Sequence, residues 1–309
     1  TVSARLMSTN LLHRMLIAPL PYVPRSIVWR FSRRYVAGRD LQSAMDTVAE
    51  LNASGCTTTI DVLGEDSTSR REVETARDLY FAALDGIRER ELRCNVSVKL
   101  SDMGLRIDES LCYDTMDAIV ARARERGNFV RIDMEDSSVT SVTLALYRRL
   151  RERHDNVGTV IQSCLKRSRD DVQQLLDDGI AHLRLCKGIY VEPDHIAWTN
   201  ADDIRNSYQA LLEQLLEGGA TKVGIATHDP LLVSHAEETI RRLNVDKSRY
   251  EFQMLLGVAG TMRSRLVADG HPLRVYVPFG QRWYAYSMRR LRENPEIAMH
   301  IVKNLFTRA

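Results

Sequence analysis

Residues 276–294, YVPFGQRWYAYSMRRLREN, run from an apolar segment through Pro-Phe-Gly into two adjacent arginines. Arg289 and Arg290 lie three and four residues after Tyr286, and Glu293 lies four after Arg289. On a helix all four share one broad face. An arginine pair suits a carboxylate held by two parallel hydrogen bonds. A solvated, salt-bridged helix explains the same pattern, so what lies opposite must decide. The remaining cations are also skewed. Only Lys99, Lys166, Lys187, Lys222, Lys247 and Lys303 are lysine. Lys99 and Lys187 fall in strand-like runs, where burial is costly unless a charge answers it.

Stepping outward to the elements, short β-branched runs recur at 56–64, 94–100, 129–135, 158–164, 181–188, 222–229, 250–258 and 273–280. Amphipathic stretches at helical spacing fill the gaps, as in SRREVETARDLYFAALDGIRER and SRDDVQQLLDDG. Strand–helix alternation predicts right-handed βαβ units and a parallel sheet. Eight such units predict an α/β chain closed as a (β/α)8 barrel of the TIM type; an open sheet is the alternative. The expected organisation is one domain over 1–309, with a helical N-terminal arm at 1–54 and the barrel at 55–309.

In such a barrel, chemistry sits beyond the C-terminal ends of the strands, and polar residues concentrate there. Glu65 follows the first strand and Lys99 ends the second. Asp133 and Glu135 end the third; Gln162 lies in the fourth, Arg184 and Lys187 in the fifth. Thr227, His228 and Asp229 end the sixth, and Tyr276 lies in the eighth. Plainer readings stand beside each. Lys99 with Asp133 would serve as a structural ion pair, and His228 as a satisfied core histidine. Arg184 and Lys187 have opposite parity in a regular strand, which would turn one outward. Cys186 reads as packing, since no neighbour in sequence resembles a base that would activate it. As a set, Lys99, Arg184, Lys187, Arg289 and Arg290 against few carboxylates expect one or two anionic ligands. The spare cations would suit phosphates or the negative charge of a reduced flavin. No G-x-G-x-x-G, no phosphate-binding G-x-x-x-x-G-K-[ST] and no H-E-x-x-H is present, so no metal site is expected.

Composition narrows the class further. With 309 residues, 44% hydrophobic and 27% charged, the chain has an ordinary globular mixture. A formal net charge of +2 gives no case for nucleic acid. Five cysteines without a CxxC pair fit small buried hydrophobes in a reducing cytosol. No apolar run nears the roughly 20 residues a membrane helix needs, and LLHRMLIAPL is too short and too charged for a signal peptide. Residues alone thus reach a barrel enzyme for a small anionic substrate.

Six ordered motifs, VSVKLS, RIDMED, LRLCKGIY, ATHD, YEFQML and YVPFGQRWYAYSMRRLREN, resemble those of the proline dehydrogenases, most closely the compact single-function bacterial form, from about Val62 to Asn294. The resemblance implies a distorted barrel with a final helix over its mouth and non-covalently bound FAD. It implies hydride transfer from L-proline to flavin N5, giving Δ1-pyrroline-5-carboxylate, with electrons passing on to a membrane quinone. Arg184, Asp133 and Lys99 would form the catalytic set. Arg289 and Arg290 would clamp the carboxylate with help from Lys99, and Asp133 would orient Lys99. Tyr276, Tyr286, Leu185 and Tyr190 would wall the ring, and a Glu65–Arg289 pair would gate the site. Arg184 would sit by flavin N5, and Asp133, Gln162, Lys187, Gly188, Thr227, His228 and Glu293 would hold other parts of FAD. Tyr276, where hydroxyproline-specific relatives carry a small residue, implies proline. Leu256 and Ile189 depart from the family pattern and bear on packing around the cofactor. The resemblance further implies a cytoplasmic protein docking peripherally at the inner face of the membrane, coupled in function to a pyrroline-5-carboxylate dehydrogenase. Two other hypotheses remain at this level: a Schiff-base lyase or aldolase using Lys99 or Lys187, and a non-catalytic barrel docking through its arginine-rich end. The amphipathic tail 296–309 would either pack on the barrel or meet the membrane.

Overall fold

The computed structural model describes residues 25–293. The side chains of Ile27 and of 289–293 lie outside the description, as does the tail 296–309. Two helices precede the barrel, α1 (Arg25–Ser32) and α2 (Leu41–Ala53). Then strands and helices alternate: β1 (Thr57–Val62), α3 (Arg70–Glu89), β2 (Cys94–Lys99), α4 (Glu109–Glu125), β3 (Val130–Asp133), α5 (Ser137–Arg151), β4 (Val157–Gln162) and α6 (Ser168–Asp177). The second half continues with β5 (His182–Cys186), α7 (Ala201–Glu217), β6 (Lys222–Ala226), α8 (Pro230–Arg242), β7 (Tyr250–Leu255), α9 (Gly260–Ala268), β8 (Leu273–Phe279) and α10 (Trp283–Glu293). All eight strands pair in parallel and in order, and β1 closes on β8, giving the expected TIM-type barrel.

Local chemistry starts the helices. Asp40, Ser69, Asp108, Asp136, Asn200 and Asp229 each accept a hydrogen bond from a backbone N–H of the first turn. Pro230 follows Asp229 at the first helical position, where its missing N–H costs nothing. Outward-facing strand residues such as Ile60, Val96, Ile132, Leu183 and Phe252 join the inner faces of the helices in one continuous core.

Two departures from a regular barrel position the site. The barrel interior is polar rather than filled with branched aliphatics. Buried Arg131 donates to the carbonyls of Thr159 and His182, both at 2.7 Å. Beside it, Arg274 pairs with Glu251 at 2.6 Å. Helix α2 packs its buried Ala44, Met45, Val48 and Leu51 into the barrel core against β1 and β8. That is the place the helix after β8 would ordinarily take. Helix α10 packs instead against α1 in a separate apolar cluster, and its Tyr286 reaches the cavity at the barrel mouth.

Candidate active site

A cavity of about 640 Å³ opens at the C-terminal ends of the strands, within the usual range for small-molecule sites. Its floor is a hydrogen-bonded knot centred on Asp133. Asp133 Oδ1 accepts from Ser97 Oγ at 2.6 Å and from Arg184 Nη1 at 2.6 Å, and Oδ2 accepts from Tyr276 OH at 2.7 Å. Arg184 Nε donates to Gln253 Oε1 at 2.6 Å, and Gln253 Nε2 donates to Glu251 at 2.7 Å. A chain of hydrogen bonds, with the neutral Gln253 amide between Arg184 and Glu251, thus links the cavity to the barrel base. Arg184 is held rigidly, since its fork meets two fixed acceptors at once. Burial, with Asp133 and Asp61 nearby, pushes the Tyr276 phenol well above its ordinary range, so it remains a donor.

Lys99 does not bond Asp133, contrary to expectation. Its Nζ lies 2.9 Å from Asp61 Oδ1, and Asp61 is only 1% exposed. Lys99 and Asp133 are register partners across β2 and β3, but Asp133 is engaged by Ser97, Arg184 and Tyr276, and the Lys99 ammonium turns to Asp61. Burial alone would lower the lysine; Asp61, Asp133 and Glu65 outweigh it and keep the ammonium charged. Burial in turn lifts Asp61 to about 6 against the pull of Lys99. The sequence held one signal for Asp61: a carboxylate inside an otherwise uncharged buried strand, TTTIDV.

At the other side of the cavity Asp229 accepts from Lys187 at 2.6 Å and from Arg205 at 2.7 Å. Burial works against the Asp229 carboxylate, but these hydrogen bonds bring it down to about 2. The parity objection to Lys187 fails because β5 ends at Cys186 and the chain turns at Gly188, φ 95°. Arg184 and Lys187 therefore both line the cavity. A Cβ on Gly188 would stand 2.4 Å from Cys164 Sγ and 2.7 Å from Gln162 Oε1, so the close approach requires glycine. His228 accepts from the backbone N–H of Leu255 at 2.9 Å through Nε2, which fixes its tautomer. Cys186 lines the cavity with its thiol pushed up to about 12 by burial, an unreactive group.

Glu65, Lys99, Asp133, Gln162, Arg184, Lys187, Gly188, Tyr190, Thr227, His228, Tyr276 and Tyr286 all line this one cavity. Leu185 does not. It alternates with Arg184, is fully buried in the outer core, and its carbonyl accepts from Tyr208 on α7. Leu255 at the end of β7 lines the cavity instead. The side chains of Arg289, Arg290 and Glu293 lie outside the described residues; positions 289 and 290 follow Tyr286 by three and four on α10. Of the two departures from the family pattern, Ile189 lines the cavity, 53% exposed, while Leu256 packs on the barrel core.

The expectation of few carboxylates is also corrected. Asp61, Glu65, Asp133 and Asp229 all reach the cavity, because barrel closure gathers strand ends distant in sequence. Most of the cavity's cations are therefore already answered by carboxylates of the cavity itself. The same pairing opposes Schiff-base chemistry. A nucleophilic lysine must be neutral, and Lys99 and Lys187 each hold a carboxylate within 2.9 Å. Among the described residues no helix is long and apolar enough to cross a membrane.

Residues 44–301 match the family model described as proline dehydrogenase. Proline dehydrogenase 1 of Bacillus subtilis is 36% identical over 275 residues, covering 89% of this chain and 90% of the relative. The proline dehydrogenase of Deinococcus radiodurans is 34% identical over 286 residues, covering 91% and 92%. Among solved structures, proline utilization A from Bdellovibrio bacteriovorus, inactivated by N-propargylglycine, superimposes with a TM-score of 0.78 at 24% identity. The match covers 85% of this chain but only 32% of that longer protein, and it bears on the fold alone.

Proposed function

The chain belongs to the proline dehydrogenase family, and from that premise we propose that it oxidises L-proline to Δ1-pyrroline-5-carboxylate, with FAD as hydride acceptor and a membrane quinone as the onward acceptor. The observation that carries this reading is the Asp133 knot at the floor of a cavity flanked by Lys99 and overlooked by α10.

The residues present fit a flavin. Gly188 lets the backbone close against Cys164 and Gln162 at the cavity wall, and fixed donors and cations converge on one large cavity. Bound FAD would supply a hydride acceptor; Gln162, Lys187, Gly188, Thr227, His228 and Glu293 would hold it, with Arg184 and Asp133 beside its reactive edge. Arg289 and Arg290 grip the substrate carboxylate from α10, and Lys99, charged and aimed by Asp61, adds a third donor. Tyr276, Tyr286 and Tyr190 wall the pyrrolidine ring, with Leu255 in the role expected of Leu185. Tyr276, pinned to Asp133, leaves little room for a ring hydroxyl, which favours proline over hydroxyproline. Glu65, pairing with Arg289, closes the mouth and excludes water, strengthening every charge contact inside. The protein would be cytoplasmic and meet the inner face of the membrane peripherally to reach quinone. Its product, a cyclic imine in equilibrium with an aldehyde, calls for a coupled pyrroline-5-carboxylate dehydrogenase.

The test is direct. Purified protein is expected to be yellow and to bleach on anaerobic addition of L-proline. Arg289→Met or Arg290→Met is expected to cut kcat/KM by about 10- to 100-fold, one lost charge-assisted contact each, while the colour stays. Normal turnover in either variant would remove the carboxylate clamp.

A further inference from the structure

The segment before the barrel has a second use of its apolar surface that the reaction scheme leaves unexplained. Val28, Tyr35 and Val36 join Leu63 and the α10 residues Trp283 and Met288 in a cluster separate from the barrel core. The Trp29 and Trp283 rings lie 4.7 Å apart, edge to face at 61°. The Arg39 guanidinium sits over both, 4.4 Å from the Trp29 ring and 5.3 Å from that of Trp283. Backbone bonds tie the same segment to the barrel rim. Ala37 N–H donates to the Pro278 carbonyl at 2.9 Å, and Gly280 N–H donates to the Gly38 carbonyl at 3.1 Å. Arg34 Nε reaches the Gly257 carbonyl at 2.9 Å, just past β7.

These contacts have one geometric consequence. With α2 occupying the ring position beside β8, α10 finds its main apolar support in residues 28–39. We propose that this segment is a brace that seats α10 over the cavity, and that Trp29 and Arg39 are positioning residues for substrate binding. They touch Trp283, three residues before Tyr286 at the cavity, and Leu63 lies two residues before Glu65. The inference rests on the reading of α10 as the carboxylate clamp. A substrate that binds only the seated helix is bound more weakly in proportion to the seated fraction. Cation–π and edge-to-face contacts of this kind are modest individually, and here two of them share one guanidinium.

The experiment uses the full chain loaded with FAD, in the variants Trp29→Ala and Arg39→Ala and the conservative Trp29→Phe and Arg39→Lys. Limited trypsin digestion reads α10 directly, since Arg289, Arg290 and Arg292 are cleavage sites within it and Arg282 is one immediately before it. The alanine variants are expected to be cut within 282–292 about tenfold faster than wild type, with the barrel uncut. Their KM for L-proline is expected to rise about tenfold, with kcat within about twofold and flavin content unchanged. The conservative variants should recover most of both effects. Arg39 is exposed, so its alanine variant is expected to fold even if Trp29→Ala does not. Unchanged cleavage of α10 in Arg39→Ala overturns the brace. Faster cleavage with an unchanged KM upholds the brace and instead removes α10 from the substrate clamp.

Discussion

Lys99→Met isolates the charge balance at the cavity floor. Methionine keeps the length and apolar stem of lysine and deletes only the ammonium, leaving Asp61 buried without its 2.9 Å partner. At an effective dielectric of about 20, two unit charges at that distance attract by roughly 6 kcal/mol, an upper bound on the interaction. Losing one partner of a buried pair ordinarily costs about 3–5 kcal/mol. Proton uptake limits the damage and gives the effect its pH signature. Asp61 already rises from an ordinary 3.8 to about 6 in the fold, because burial disfavours its charge. Between those values the native state holds more protons than the unfolded chain, so stability falls as pH rises through the window. Without Lys99 the folded value moves above 6, and the declining window extends upward at about 1.4 kcal/mol per pH unit. Lys99→Met is therefore expected to destabilise by under about 1 kcal/mol at pH 5 and by roughly 3 kcal/mol at pH 8. Urea unfolding midpoints at the two pH values read this directly. The double variant Asp61→Asn/Lys99→Met should recover most of the loss at pH 8 and show no extra slope. A destabilisation equal at both pH values, or no recovery in the double variant, refutes the pairing of Lys99 with Asp61.

Tyr276→Phe is expected to cost about 1–3 kcal/mol in urea unfolding, the penalty for leaving a largely buried acceptor short of its donor, here the 2.7 Å bond to Asp133; Tyr276→Ser should narrow the proline-to-hydroxyproline ratio of kcat/KM about tenfold. Gly188→Ala forces a side chain at φ 95° into Cys164 and Gln162, so flavin per protein, read by absorbance after dialysis, should fall below half of wild type. On the proposed hydride transfer, proline must bind with a neutral amine, so kcat/KM should rise with pH toward an alkaline plateau, and a flat profile between about pH 6 and 9 would count against the scheme.

Much of this protein was readable one element at a time. Eight β-branched runs separated by amphipathic stretches specify a parallel barrel, because periodicity records which face of each element is buried. Strand-end polar residues were legible for the same reason, and twelve positions named from motifs do line one cavity. What each of them bonds to was not legible. Asp133 serves Ser97, Arg184 and Tyr276, the last 143 residues away, while the nearer candidate Lys99 turns to Asp61. Leu255 rather than Leu185 faces the cavity, since one residue of strand parity separates the inner wall from the outer core. The carboxylate Asp229, which answers Lys187, reaches it only because β5 and β6 pair side by side. The N-terminal arm carried no readable role: α2 takes the place of a ring helix and α1 packs on α10, and such choices exist only once the sheet has closed. Local periodicity is a property of the chain, whereas the pairing of charges belongs to the closed barrel that brings distant strand ends within bonding distance.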